Sequence, residues 1–200
     1  MPKRNSHERL SKRLQKYLTR LNELKFEVDK RQCLSGRDVV PPKKKVLPEC
    51  IVRFCELDFE GRQLVEAALI ARLKAYAPYS KFKVGAAFRS KAGDIFTGCN
   101  IENVAFTPSC CAERTALVKA VSEEHTTFTG GAVVAYHPDA FITPCGVCRQ
   151  FILEFAKKDI PIYVASAPEH DDALPMIEDE HKVLITSIYN LMPRSFSSFE

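Results

Sequence analysis

Residues 130–165 read GGAVVAYHPDAFITPCGVCRQFILEFAKKDIPIYVA. Gly130 to Tyr136 is a short, continuous apolar run, the pattern of a strand buried on both faces. A loop follows, then a helix from about Cys145 to Lys157, and then a second strand, Pro161 to Ala165. Strands that alternate with helices in this way predict a layered α/β domain. The same alternation extends outward. Phe59 to Tyr76 carries Leu, Ala, Val and Ile at helical spacing and stops before Pro78. Lys83 to Ser90 and Asp94 to Cys99 flank Lys91-Ala92-Gly93 as the turn of a hairpin. A helix is expected over Cys111 to Glu123 and a last strand over Lys182 to Ser187, with no internal repeat.

Toward the N-terminus the character changes. Leu10, Leu14, Tyr17, Leu18, Leu21 and Leu24 recur at three- and four-residue steps among charged residues, an amphipathic helix over 6–28 that Ser6 can cap. Cys33 to Pro48 holds Gly36, three prolines and three consecutive lysines, which favours an extended linker. We place the boundary near residue 50, with a basic extension over 1–50 and the main domain over 51–200.

The 200 residues, 46% of them hydrophobic, suffice for one sizeable core plus an appendage. The net charge of +4 is unevenly spread: residues 1–50 carry 14 Lys and Arg against 6 Asp and Glu, and residues 51–200 carry 15 against 19. The part with the helices and strands is thus mildly acidic, which argues against a polyanionic partner there. Met1-Pro2-Lys3-Arg4 opens no secretory signal, Glu8, Glu23 and Glu27 make a poor transit peptide, and no apolar run has the length of a membrane span. Eight cysteines in such a chain point to a cytoplasmic, reducing setting, where grouped thiols serve metal binding or catalysis.

Two groups of cysteines stand out, Cys111-Ala112-Glu113-Arg114 and Pro144-Cys145-Gly146-Val147-Cys148-Arg149-Gln150. Each falls where a helix begins, so free backbone amides and the helix dipole lower the thiol pKa. Cys145 and Cys148, with two residues between them, can reach one ion from the first turn, and Cys111 completes three thiolates from another helix. A catalytic zinc takes three protein ligands and leaves the fourth position to water. Cys-x-x-Cys alone is weak, since redox motifs share it. Glu113, two residues after Cys111, raises the specificity as a carboxylate able to move protons. Three thiolates on a divalent cation make an anionic cluster, which Arg114 or Arg149 can balance. For Arg149 a solvated helix face is an equal reading.

Together with Asn100-Ile101-Glu102-Asn103, Tyr79-Ser80-Lys81-Phe82-Lys83-Val84-Gly85 and Leu191-Met192-Pro193-Arg194-Ser195-Phe196, these motifs resemble the free-nucleoside cytidine deaminases over about Phe54 to Phe199. The resemblance implies a three-layer α/β/α sandwich with a mixed five-stranded sheet. It implies one zinc per subunit on Cys111, Cys145 and Cys148, with Glu113 transferring protons. Asn100 and Glu102 then contact the ribose hydroxyls, Phe82 packs on the pyrimidine, and Phe106 and Phe196 close neighbouring pockets in a homotetramer. Many relatives carry Tyr at Phe106, so its contact here is apolar. The implied reaction is deamination of cytidine and 2′-deoxycytidine in pyrimidine salvage. Taken singly, Asn100 also fits an Asx turn with Glu102 in solvent, Phe82 a core position, and Cys110 a small buried side chain. Cys33, Cys50, Cys55, Cys99 and the five histidines show no second metal spacing. An editing enzyme acting on RNA or DNA, motivated by the basic extension, and an inactive zinc-stabilised interaction protein are the competing readings.

Overall fold

The structure, a computed structural model, describes residues 46–169, 176–193 and 195–196. Its strands are β1 (Cys50–Arg53), β2 (Val84–Ser90), β3 (Ile95–Cys99), β4 (Phe128–Ala135), β5 (Pro161–Ser166) and β6 (Lys182–Ser187). Its helices are α1 (Phe59–Arg72), α2 (Ala112–Ser122), α3 (Gly146–Glu154) and the single turn α4 (Ile188–Leu191). The strands form one sheet in the order β1-β6-β5-β4-β2-β3. Only β4 and β5 run parallel, joined by the crossover through α3; every other pairing is antiparallel, so the sheet is mixed.

Strand alternation sends side chains to two cores. Leu64, Val65, Ala68 and Leu69 of α1 pack with Ala87, Ala132, Val134 and Ala165 on one face. Ala116, Leu117 and Ala120 of α2 and Ile152 and Leu153 of α3 pack with Ala86, Phe88, Val133, Ile162 and Val164 on the other. These are the three layers expected. Two glycines set how closely the layers approach. A Cβ at Gly85 would lie 1.9 Å from the Ala68 carbonyl oxygen of α1, and one at Gly98 would lie 2.4 Å from the Ala112 carbonyl oxygen of α2. No side chain fits in either gap.

The sheet has six strands, not five. β1 escaped the sequence because it is four residues long, mostly exposed and preceded by a Pro- and Lys-rich stretch. Backbone pairing holds it to β6, in the register Cys50↔Ile185 to Arg53↔Lys182. Arg53 also forks to Glu56 and Glu180 at 2.9 and 3.2 Å. Just upstream, the Leu47 amide donates to Asp159 at 2.7 Å and its carbonyl accepts from Asn190 at 3.0 Å. The first helix ends at Arg72, four residues before the expected Tyr76, because Tyr76 leaves to pair beside Ile101. Its amide donates to the Asn100 carbonyl at 3.0 Å, and its carbonyl accepts from the Glu102 amide at 2.8 Å. The amphipathic helix expected over 6–28 lies outside the described residues, as does the linker up to residue 45.

Candidate metal centre and substrate pocket

Two helices start at one place. Cys111 is the N-cap of α2 and Cys145 the N-cap of α3, both in extended backbone and neither with a side-chain cap bond. Cys148 sits three residues into α3 and is buried. The three sulfur atoms lie within 4.8 Å of one another, and Cys111 Sγ and Cys145 Sγ are 3.9 Å apart. Thiolates 2.3 Å from a tetrahedral zinc would be separated by about 3.8 Å, so this donor set fits the ion. Among the described residues no other group of His, Cys, Asp or Glu meets the same test.

The Cys148 thiol bonds to Cys111 and, with Arg114, draws the Cys111 pKa down to about 5, against its desolvation. The same bond, together with burial, pushes Cys148 upward. Arg114 Nη2 reaches Cys111 Sγ at 3.7 Å and the Ser109 carbonyl at 3.2 Å, so it is the cation beside the sulfurs. Arg149 is not. Its donors go to the Pro144 carbonyl, the Thr143 hydroxyl and the Leu191 carbonyl, all oxygens. Glu113, on the opening turn of α2, is only 4% exposed. Burial first, and then the charge of Cys111, push its carboxyl above the usual range.

Asn100 and Glu102 gather around the loop that carries Phe82. Ile101 and Cys110 exchange both backbone hydrogen bonds at 2.9 Å, which sets Asn100 to Glu102 beside the residue before Cys111. Asn100 Oδ1 accepts from the Val84 amide and its Nδ2 donates to the Phe82 carbonyl, both at 2.8 Å. Glu102 accepts from the Tyr79 and Ser80 amides at 2.9 and 3.2 Å and from the Ser80 hydroxyl. The Ser80 hydroxyl oxygen in turn accepts from the Phe82 amide at 3.0 Å. Both side chains therefore brace the loop that presents Phe82, which is 39% exposed. Each still has hydrogen-bonding capacity, an N–H on Asn100 and lone pairs on Glu102. Ser80 and Arg72 were missed in the sequence. Arg72 is buried and donates to the Lys83 carbonyl at 3.1 Å, and only its place in an apolar helix marked it as unusual.

Phe106 adopts φ 52°, the left-handed region that a bulky residue rarely takes. An Asx turn at Asn103 and bonds from Phe106 to Asn103 and from Ser109 to Phe106 hold it there. Its ring is 6.5 Å from that of Tyr79 and largely exposed. The Phe196 carbonyl accepts from Gln150 at 3.3 Å, and its side chain is also exposed. A separate cavity of about 820 Å³, bounded by Tyr136, His137, Phe141, Ser166, Glu178 and His181, contains none of the three metal-site cysteines.

A three-thiolate metal site at two helix N-termini, with a buried carboxyl beside it in an α/β/α sandwich, fits the class of zinc-binding proteins whose ion keeps an open position for chemistry. The profile of the cytidine and deoxycytidylate deaminase zinc-binding region matches residues 60–164. The chain is 42% identical over 135 residues to a cytidine deaminase of Sporosarcina psychrophila, covering 68% of this chain and 90% of that one. It is 29% identical over 143 residues to a blasticidin-S deaminase of Bacillus cereus, covering 68% and 91%. The crystal structure of a cytidine deaminase from Burkholderia pseudomallei superposes with a TM-score of 0.58 at 38% identity, over 70% of this chain and all of that one. This chain belongs to the cytidine deaminase family.

Proposed function

We propose that the protein deaminates free cytidine and 2′-deoxycytidine to uridine and 2′-deoxyuridine, consuming water and releasing ammonia, as a step of pyrimidine salvage in the cytoplasm. The observation that carries this reading is the buried Glu113 on the opening turn of the helix capped by Cys111, whose sulfur lies within 4.8 Å of those of Cys145 and Cys148. Cys111, Cys145 and Cys148 hold one zinc ion, which when bound supplies a Lewis acid and a water acidified toward neutrality. Glu113 moves protons in a desolvated site. The attacking water loses both its protons to Glu113 in turn: one is delivered to the ring nitrogen, where it stays in the product, and the other is passed to the departing amino group, so Glu113 ends the cycle as it began. Arg114 offsets the negative charge of the thiolates. Phe82 packs on the pyrimidine face, and the remaining capacity of Asn100 and Glu102 meets the ribose hydroxyls.

Tyr79, Val104, Phe106, Val147 and Phe196 are exposed near this site, more apolar surface than a finished pocket leaves in water. A homotetramer that shares pockets between subunits covers them. Its mass would be about 90 kDa, four times 22.5 kDa. We assign residues 1–50 as the basic extension, whose last residues, Leu47 to Cys50, are joined to the catalytic domain through Asp159, Asn190 and β6.

The test is Glu113→Gln, which should retain one zinc per subunit and lose about 10³-fold or more in kcat on cytidine. Loss of metal would remove Glu113 from its role. A panel of cytidine, 2′-deoxycytidine, cytosine, deoxycytidylate and blasticidin S, followed by absorbance, fixes the substrate; turnover of cytosine or deoxycytidylate alone would overturn the nucleoside reading.

A further inference from the structure

Pro144 and Cys148 are buried, yet Cys145 between them is exposed, so the turn that enters α3 must be held by something other than its own packing. Pro144 has no amide hydrogen, which leaves its carbonyl as the polar group to satisfy. Arg149 supplies the partner. Its Nε donates to the Pro144 carbonyl at 2.6 Å, its Nη2 to the Thr143 hydroxyl at 2.9 Å and its Nη1 to the Leu191 carbonyl at 3.3 Å. One planar fork thus binds the two residues before Cys145 and the last residue of α4. The neighbouring Gln150 extends the link to the Phe196 carbonyl.

We propose that Arg149 is a positioning residue of the metal centre, fixing Cys145 through the Thr143-Pro144 turn and tying that turn to the C-terminal helix. The inference rests on the reading that Cys145 and Cys148 hold the zinc. It assigns Arg149 a role other than charge neutralisation, since its donors face oxygens while Arg114 faces sulfur. A lysine offers a compact point charge and does not reproduce the fork.

The test follows zinc release from the loaded, full-length protein into an excess of a colorimetric chelator, alongside kcat and KM. Arg149→Gln should release zinc about 10–100-fold faster. Arg149→Lys should fall between it and the parent, and Thr143→Val, which keeps the shape and removes one acceptor, should show a smaller acceleration. In all three kcat should fall more than KM rises. Parent-rate release from a folded Arg149→Gln would overturn the proposal. If that variant does not fold, parent-rate release from both Arg149→Lys and Thr143→Val overturns it. Cys145→Ser separates the two claims. Full zinc content in that variant refutes the ligand reading, whereas zinc loss there with parent-rate release from the Arg149 variants refutes the positioning role alone.

Discussion

Ser80 shows how a single hydroxyl organises the substrate side of the site. It donates to Glu102 and accepts from the Phe82 amide, so a carboxylate and the backbone of an aromatic residue far apart in sequence share one atom. The Ser80 hydrogen bond, ahead of the opposing desolvation, holds the Glu102 carboxyl below its ordinary range. A depressed carboxylate pKa stabilises the fold fully above the unfolded value, about 4.3, and that contribution vanishes as pH falls through the folded value. Melting curves of the parent and Ser80→Ala should therefore differ most near pH 7, and the gap should narrow as pH falls from about 4.3 through the lower folded value. A gap independent of pH would remove Glu102 from the explanation. Cys111, Glu113, Cys145 and Cys148 were legible at this scale because their chemistry is fixed by residue type and spacing. The bracing by Asn100 and Glu102 was not, since it depends on backbone groups brought in from residues 79–84. Arg149 likewise has the same name as a solvated arginine, and only the carbonyls it meets distinguish the two.

The helices that deliver the cysteines are placed by their contacts with the sheet. Gly98 admits the Ala112 to Ala116 turn of α2 directly against β3, one residue beyond the N-cap Cys111. Gly98→Ala forces that turn to move, at a cost of about 1–3 kcal/mol and thus several degrees in melting temperature. Zinc release should accelerate with it. Gly85→Ala crowds α1 on the opposite face, and should lower the melting temperature by a similar amount with less effect on zinc release. Equal release rates in the two variants would show that α2 tolerates the shift. The central strands and the crossover helix were readable because continuous apolar runs and helical spacing report burial. The end of α1 was not, because Tyr76 continues the apolar pattern and is drawn away by a bridge to residues 100–102.

Across the whole molecule, the chain reaches its catalytic core along the edge of the sheet. β1 carries few apolar contacts and is held by its ladder to β6 and by Arg53, which is why no hydrophobic pattern disclosed it. Removing residues 1–56 uncovers the β6 edge, and unpaired edges promote association between chains. That deletion should melt lower and aggregate more than deletion of residues 1–45, which keeps Leu47 on Asp159 and β1 on β6. Identical behaviour of the two would make β1 dispensable. Strands β2 to β6 and the layering of helices on the sheet followed from the order of strands and helices, and the mixed pairing from the family resemblance. The extra edge strand, paired mainly through backbone, did not.

The thiols at the N-caps of α2 and α3 lack the side-chain hydrogen bond that Ser, Thr or Asp would give. Bound zinc would tie the two cap sulfurs together, whereas without it neither helix start has a side-chain cap to hold it. Stripping zinc with a chelator at neutral pH should therefore fray two helix ends at once. Amide hydrogen exchange over residues 113–115 and 147–149 should accelerate together and recover together as zinc is titrated back, while the amides of β4 keep their protection. The ion would then be as much a structural keystone for this fold as a reagent, and metal scarcity would be registered as local unfolding.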